Sequence, residues 1–369
     1  MSIKLKIAII GSRGYPYVYS GYETLVKELA ERLVKSGNEV TVYCHRKLFN
    51  EKPKKVNGVH LVYTPSVRSK VFSQLYNSFF SFVHVCFSKS DVVLVVNTAN
   101  GPFGLLTKIF RKKTCINVDG LEWQRPKWKG LGSLYFRFAS KLATLFFDEI
   151  ITDSIEMNKI YRQKFFIDSC VIAYGSTMIS KPKTNFLKNL NLNKNEYYLI
   201  VGRLIPDNNS KIIIDSFCQT KSNKKLLIVG DVPYKDKYAL EIKSIRSSNI
   251  VFSGYINSQK ILSELYLNCY GYIHGHEFGG TNPTMINALD LNCQILALDT
   301  IFNREMLSGK EVVFFKKNSS SIINAIKKFE NSYEKTLLLN KNYRIDQKYT
   351  WSKVTEKYER LFLELKNGF

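Results

Sequence analysis

Short runs rich in β-branched residues recur along the chain with helical patterns between them, and this alternation limits the available folds more than any other feature. The first half holds KLKIAIIG, EVTVYC, DVVLVVN, TCINVD and EIITDS, and the second YYLIVG, KKLLIVGD, NIVFSG, CYGYIHG, QILALD and EVVFF. Several are apolar at consecutive positions, as a strand covered on both faces must be. Between the first two lies YETLVKELAERLVKSG, where Val26 joins Leu25, Leu29 and Leu33 in one helical stripe and Gly37 marks the stop. Such alternation specifies an α/β chain of parallel sheets with helices on both faces, doubly wound in the Rossmann-like manner.

The pattern pauses once, in the Lys/Asn-rich SKPKTNFLKNLNLNKNE from Ser180, and 369 residues is ample for two domains. The reading is an N-terminal domain at 1–180, a linker at 181–196 and a second domain at 197–350. A C-terminal helix at 351–369, WSKVTEKYERLFLELK, is a candidate to pack back on the first domain. Two doubly wound sheets facing across a cleft follow from this count. Seven cysteines without a C-x-x-C pair, several inside apolar runs, read as buried thiols in a reducing compartment, so the cytosol is expected. The chain opens directly on a strand-like run, and no apolar run approaches the roughly 18 residues that span a bilayer.

Charge is unevenly placed. Between Lys54 and Phe147 there are 14 basic and 3 acidic side chains, which supplies almost half of the net +23. A local field of this kind attracts nucleic acid, an anionic membrane or a phosphorylated substrate, or serves solubility alone. No nucleic-acid-reading module is present, so nucleic acid is not an expected partner.

Doubly wound sheets bind ligands at the carboxyl ends of their strands. The first such end, IIGSRGYPYVYSGYET, carries Gly11, Gly14 and Gly21 without the dinucleotide or P-loop spacing, which removes the main support for an oxidoreductase or an ATPase. Gly21 before a long helix still leaves an open helix mouth. In the second half, Arg203 in VGRL directly follows a strand, where its fork can reach a phosphate. The stretch HGHEFGGTNPTMINALD sets Gly279, Gly280, Thr281 and Asn282 at the opening of a helix whose free N–H groups and dipole favour an anion. Together they suit a leaving diphosphate. No D-x-D stands at a strand end and the His and Cys residues lack zinc spacing, so no metal and no cofactor are expected.

The segments GSRGYPYVYSGYETLVKEL, NTANGPFG, NVDGLEWQRPKW, YYLIVGRLIPDNN, IVGDVPY, YIHGHEFGGTNP and FNRE resemble the retaining glycosyltransferase family 4, of the GT-B fold with two Rossmann-like domains. The resemblance is greater to the bacterial subgroup of β-1,4-rhamnosyltransferases in capsular polysaccharide assembly. It implies donor binding in the second domain and acceptor binding in the first. Arg203 then matches the diphosphate-binding arginine, and Gly279 to Asn282 the backbone cradle. The carboxylate pair seen in many members falls on Gly279 and Asn287, neither acidic, and the usual lysine is Asn208. An amide at 287 still bonds a ribose hydroxyl but gives up a charge-assisted bond, roughly twice as strong. Glu305 in FNRE resembles a further donor contact. The implied donor is dTDP-L-rhamnose, with UDP-sugars second, and the implied acceptor a lipid-linked saccharide.

Asp119 and Glu122 in NVDGLEW are two of the three acids in the basic quarter, and either is a candidate to deprotonate the acceptor hydroxyl, Asp119 first; a turn cap is the plainer role. Gly14, Gly21 and Trp123 are assigned to the acceptor side. His274 and His276 share one face of an extended segment, and His276 is preferred for a site role; Glu277 precedes the glycines as a stand-in for the missing acid, in the wrong register for it. In VFSQLYNSFFSFVHVCF, Phe72, Leu75, Tyr76, Phe79, Val83 and Cys86 form a helical stripe that reads first as core. Cations beside aromatics in RPKWKGLGSLYFRF suit a lipid-linked acceptor on an anionic inner membrane. The alternatives are a catalytically weakened sugar-nucleotide-binding protein of the same fold and, behind it, a basic nucleic-acid binder.

Overall fold

In the computed structural model, residues 4–16, 21–67, 72–118, 120–126, 128, 130–180, 182, 184–232 and 235–368 are described. The chain divides into two compact units, residues 1–174 with 350–369, and residues 175–349.

The first unit is built on an eight-stranded sheet. Its strands are β1 (Lys6–Ile10), β2 (Glu39–His45), β3 (Lys55–Val56), β4 (Val59–Thr64), β5 (Val92–Val96), β6 (Lys113–Asn117), β7 (Glu149–Thr152) and β8 (Cys170–Val171), in the order β3-β4-β2-β1-β5-β6-β7-β8. All pairs are parallel except β3–β4 at the edge. The chain leaves β1 toward β2 and later resumes on its other side at β5, so the order reverses beside β1. Such a point opens a crevice at the carboxyl ends of the strands.

The second unit repeats the plan with β9 (Tyr197–Val201), β10 (Lys225–Val229), β11 (Ile250–Gly254), β12 (Gly271–His274), β13 (Ile295–Leu298) and β14 (Val313–Phe315). The order β11-β10-β9-β12-β13-β14 is wholly parallel, and its reversal lies between β9 and β12. Tyr198, Phe217 and Phe329 pack edge-on or tilted beneath this sheet, with Ile214, Ile228 and Leu296 around them. Both sheets are thus doubly wound, the α/β Rossmann-like class read from the alternation.

The stretch expected to link the domains, 181–196, instead lies inside the second unit, and the division falls between Tyr174 and Gly175. Its polarity is that of a covering segment: Phe186–Asn189 forms a helical turn and Leu192 is buried, while Thr184 and the backbone of Phe186 bond Glu264. The terminal helix Trp351–Asn367 belongs to the first unit. It buries Val354, Tyr358, Leu361, Phe362 and Leu365. Asn117 Nδ2 donates to Tyr358 Oη at 3.0 Å, Asn38 Nδ2 to Glu359 Oε1 at 2.9 Å, and Lys366 pairs with Asp91 at 3.2 Å. All seven cysteines are free thiols.

The helix Phe72–Cys86 corrects another expectation. Tyr76, Phe79 and Val83 of the apolar stripe point outward, and of that stripe Cys86 is buried. The inward face carries Asn77, Ser78, Ser81, Phe82 and Val85. Its polar members are satisfied: Asn77 Nδ2 donates to Thr64 Oγ1 at 2.7 Å, and Ser81 Oγ lies 2.9 Å from the same hydroxyl. The inside of this helix is therefore partly polar and its outside aromatic, the reverse of an ordinary amphipathic surface helix.

Candidate active site

The reversal between β9 and β12 gathers most of the expected donor residues. After β9 the chain turns through Gly202 and Arg203 into a short 3-10 turn, Pro206–Asn208. The carbonyl of Arg203 is pinned by Ile205 N at 2.9 Å and by Asn208 Nδ2 at 2.7 Å. Asn208 Oδ1 in turn accepts from His276 Nδ1 at 2.6 Å, and Glu277 N donates to Asp207 O at 3.1 Å. Asn209, at positive φ, donates its Nδ2 to Gly275 O at 2.8 Å. The loop after β9 is thereby stitched to the loop after β12.

Glycine is required where these backbones close up. A Cβ on Gly275 would lie 2.5 Å from Asn208 O, and one on Gly230 would lie 1.9 Å from Gly202 O. No side chain fits at either place.

Arg203 itself is half-buried, and its guanidinium has no hydrogen-bond or ion-pair partner among the described residues. That is unusual for an arginine held at a strand end, and it leaves the fork available to an anion. Across the reversal, Gly279 takes φ +113°, Gly280 and Thr281 are buried, and Asn282 caps the helix Pro283–Asp290. Asn282 Oδ1 accepts from Thr284 N at 3.0 Å. Pro283 at the first helical position has no N–H to satisfy.

Other expected residues sit differently. Asn287 faces Ser176, whose hydroxyl lies 3.3 Å from Asn287 Oδ1 and 2.6 Å from Asp290 Oδ2. Glu277 is paired with Lys317 at 2.6 Å. Glu305, on the helix Ile301–Met306, is half-buried at the rim of a cavity of about 430 Å³ shared with Arg344, Lys348 and Tyr349.

In the first unit, Asp119 lies outside the described residues. Glu122 is a correction: Oε1 pairs with Arg125 at 2.9 Å and Oε2 accepts from Trp128 Nε1 at 2.8 Å. With both oxygens engaged it fastens the turn Glu122–Gln124 and is poorly placed to take a proton. Trp123 is also corrected, since it is buried against Tyr161 and Phe165 with ring centroids at 6.2 and 6.0 Å and presents no acceptor surface. Gly14 lies at φ +125°, and a Cβ there would also meet Cys44 at 2.8 Å, so backbone and space both require glycine. Gly21 opens the helix Gly21–Lys35, and the residues just before it are not described.

Three buried polar residues at the carboxyl edge of the first sheet were missed. Ser12 Oγ, His45 Nε2 and Asn100 Oδ1 have no hydrogen-bond partner among the described residues, and all three belong to segments that follow or end β1, β2 and β5. His45 is held neutral, its pKa lowered to about 4 by burial and by the charge of Arg13. No spacing in the sequence announces them, because each comes from a different strand end.

Two Rossmann-like parallel-sheet units in one chain are the architecture of the GT-B fold, which the solved structures similar to this chain share. Residues 182–346 match the family model described as glycosyl transferases group 1, and residues 4–177 match one described as a domain of unknown function (DUF1972). The first of these matches spans most of the second unit. No curated protein sequence matches the chain. Among solved structures it is similar to sucrose-phosphate synthase from Thermosynechococcus elongatus, with a TM-score of 0.83 and 16% identity over 98% of this chain and 99% of that one. It is similar also to HepE of Anabaena, solved with UDP and glucose, at 0.76 and 14% over 98% and 100%. WaaG, a glycosyltransferase involved in lipopolysaccharide biosynthesis, gives 0.74 and 14% over 97% and 99%.

Proposed function

We propose that the chain transfers L-rhamnose from dTDP-L-rhamnose, with a UDP-sugar as second choice, to a hydroxyl of a lipid-linked saccharide in bacterial surface polysaccharide assembly. The transfer retains anomeric configuration and uses no metal. The observation that carries this reading is Arg203, half-buried and without a partner among the described residues, at the sheet reversal of the unit that matches the group 1 glycosyl transferase model. In a front-face departure, negative charge builds on the leaving diphosphate, where the guanidinium and the amides of the Gly279–Asn282 turn wait. Preorganised donors of this kind contribute about 3 kcal/mol each to the transition state. Among the described residues no group of three His, Cys, Asp or Glu side chains is placed to hold a metal ion. HepE, solved with UDP and glucose, supports a nucleotide-sugar donor by likeness of fold.

Membrane association belongs to the same proposal. No helix among the described residues is long and apolar enough to cross a membrane. The helix Phe72–Cys86 contacts the helix Gly104–Ile109, which packs in turn on Leu131–Phe146. Together they expose Phe79, Phe87, Ile109, Leu134 and Phe138, Phe87 by 73%. Lys108, Arg111, Arg137 and Lys141 are exposed on the same elements and the turn between them. Aromatic and aliphatic side chains rimmed by cations fit an anionic inner membrane surface, where a lipid-linked acceptor resides.

A thermal-shift panel of dTDP-L-rhamnose, UDP-glucose and their free nucleotides tests the donor, since a ligand that binds only the folded chain raises Tm by mass action. The reading expects the largest rise with dTDP-L-rhamnose, and no rise with any of them would sink it. The second reading, a sugar-nucleotide-binding protein with weak turnover, is favoured by the engagement of Asn287 with Ser176. A Tm rise without transfer to any added saccharide lipid would select it.

A further inference from the structure

His274 ends β12, is 2% exposed, and packs its ring against that of His276 with centroids 6.0 Å apart. Its Nδ1 lies 2.9 Å from Tyr272 Oη, that hydroxyl lies 2.9 Å from Thr284 Oγ1, and Thr284 Oγ1 lies 2.7 Å from Asn282 Oδ1. A buried histidine is thus linked through two hydroxyls to the residue that caps the helix Pro283–Asp290.

Counting protons gives this chain one direction. Asn282 Oδ1 only accepts, and it already takes Thr284 N. The single proton of the Thr284 hydroxyl must therefore go to Oδ1. Tyr272 must then donate to Thr284 Oγ1, which leaves its oxygen to accept from His274, so Nδ1 carries the N–H. Tyr266 does not change this direction: its hydroxyl reaches both the Thr284 carbonyl, at 3.1 Å, and Tyr272 Oη, and its proton given to either leaves the Tyr272 proton for Thr284. The opposite tautomer would draw the Tyr272 proton to Nδ1 and leave one contact with lone pairs on both sides, either Tyr272 Oη to Thr284 Oγ1 at 2.9 Å or Thr284 Oγ1 to Asn282 Oδ1 at 2.7 Å. It would also strand an N–H at Nε2, which has no partner among the described residues. Buried orphan N–H groups are rarer than under-satisfied acceptors. Burial lowers the His274 pKa to about 3, so the ring is neutral wherever the protein works.

We propose that His274 is a positioning residue: through Tyr272 and Thr284 it fixes the amide of Asn282 with Oδ1 turned into the helix and Nδ2 turned toward the mouth. Asn282 Nδ2 has no partner among the described residues, so its two N–H groups remain for the donor diphosphate. A flipped amide would point donors at Thr284 N–H and an oxygen at the anion, which is unfavourable on both sides. The inference rests on the diphosphate reading of this helix mouth.

Long-range proton–nitrogen spectra of the ¹⁵N-histidine-labelled free protein test the direction without any ligand. The expected result is a pyrrole-type nitrogen at Nδ1 and a pyridine-type nitrogen at Nε2 for His274; the reverse overturns the proposal. The second arm uses UDP and dTDP as probes in calorimetry. His274→Asn keeps an N–H close to the Nδ1 position and should hold nucleotide diphosphate affinity within about twofold. His274→Leu and Thr284→Val should each weaken it about tenfold, and together no further. An unchanged affinity in a folded His274→Leu protein, or simple addition of the two losses, also overturns it. If the unaltered protein binds neither nucleotide, the diphosphate reading fails and the positioning role falls with it, whatever tautomer the spectrum shows.

Discussion

Arg203 and Glu122 are two charged side chains at strand ends with opposite fates, and the difference lies in who neutralises them. Glu122 is closed off by Arg125 and Trp128, whereas Arg203 has a pinned carbonyl and an uncommitted fork. Arg203→Ala should lower kcat by about two orders of magnitude, the loss of one preorganised donor to the leaving group. Arg203→Lys keeps the charge but not the two-pronged geometry and should fall between. Steady-state rates with the best donor of the panel check this, and a full rate in Arg203→Ala would remove the residue from the chemistry. The two buried histidines make a separate prediction. His45 and His274 have folded pKa values lowered to about 4 and about 3, so the unfolded chain binds protons that the folded chain refuses. Stability is then fully present above pH 6.5 and lost as pH falls, by about 1.4 kcal/mol per unit and per histidine down toward the folded values. Urea melts from pH 7.5 to 4.5 should show this fall, and His45→Asn should flatten it in the first unit.

At the scale of elements, all eleven strand runs read from the sequence are strands, because burial on both faces forces uninterrupted β-branched segments. The missed strands are β3, β4 and β8: two of them have two residues each, and the polar His60 and Tyr63 interrupt β4. Periodicity also failed to say which face of the helix Phe72–Cys86 is inward, since it finds a stripe but not its partner. In the second unit the places of Arg203 after a strand and of the Gly279–Asn282 turn before a helix were legible, because a β-branched run, a glycine pair and an Asn-Pro helix start mark those boundaries locally. Trp123 was not, for an aromatic beside a candidate acid reads alike whether it lines a cleft or packs on Tyr161 and Phe165. The helix Trp351–Asn367 shows its apolar period plainly, while its polar partners, Asn38 and Asn117, come from distant segments. Tyr358→Ala should destabilise the first unit by about 3–5 kcal/mol through the cavity it leaves. Tyr358→Phe should cost about 1 kcal/mol by stranding Asn117 Nδ2. Denaturant melts separate the two, and equal losses would mean that the hydroxyl, not the ring, anchors the helix.

Across the molecule, the unusual balance is +23, and the first unit concentrates it near exposed apolar side chains. Charge alone would serve solubility, and apolar exposure alone would invite aggregation; cations around aromatics instead suit an interface that is anionic above and apolar below. Each lysine or arginine near such a surface contributes about 1 kcal/mol, and each phenylalanine that leaves water roughly 1.5–3 kcal/mol. The two contributions respond differently to salt, since screening reaches the first and spares the second. Sedimentation with vesicles containing phosphatidylglycerol should therefore show strong binding at low salt, partial loss at 0.5 M, and little binding to neutral phosphatidylcholine. Phe79→Glu with Phe138→Glu should abolish binding at low salt as well, because both side chains are already solvent-facing and their replacement leaves the core untouched. Lys108→Glu with Arg111→Glu should weaken low-salt binding and flatten its salt dependence. If the double phenylalanine variant binds as tightly as the unaltered chain, the aromatic face does not enter the bilayer. If an unaltered chain ignores anionic vesicles but retards a nucleic-acid fragment at moderate salt, the basic field serves a different polyanion and the membrane assignment is overturned.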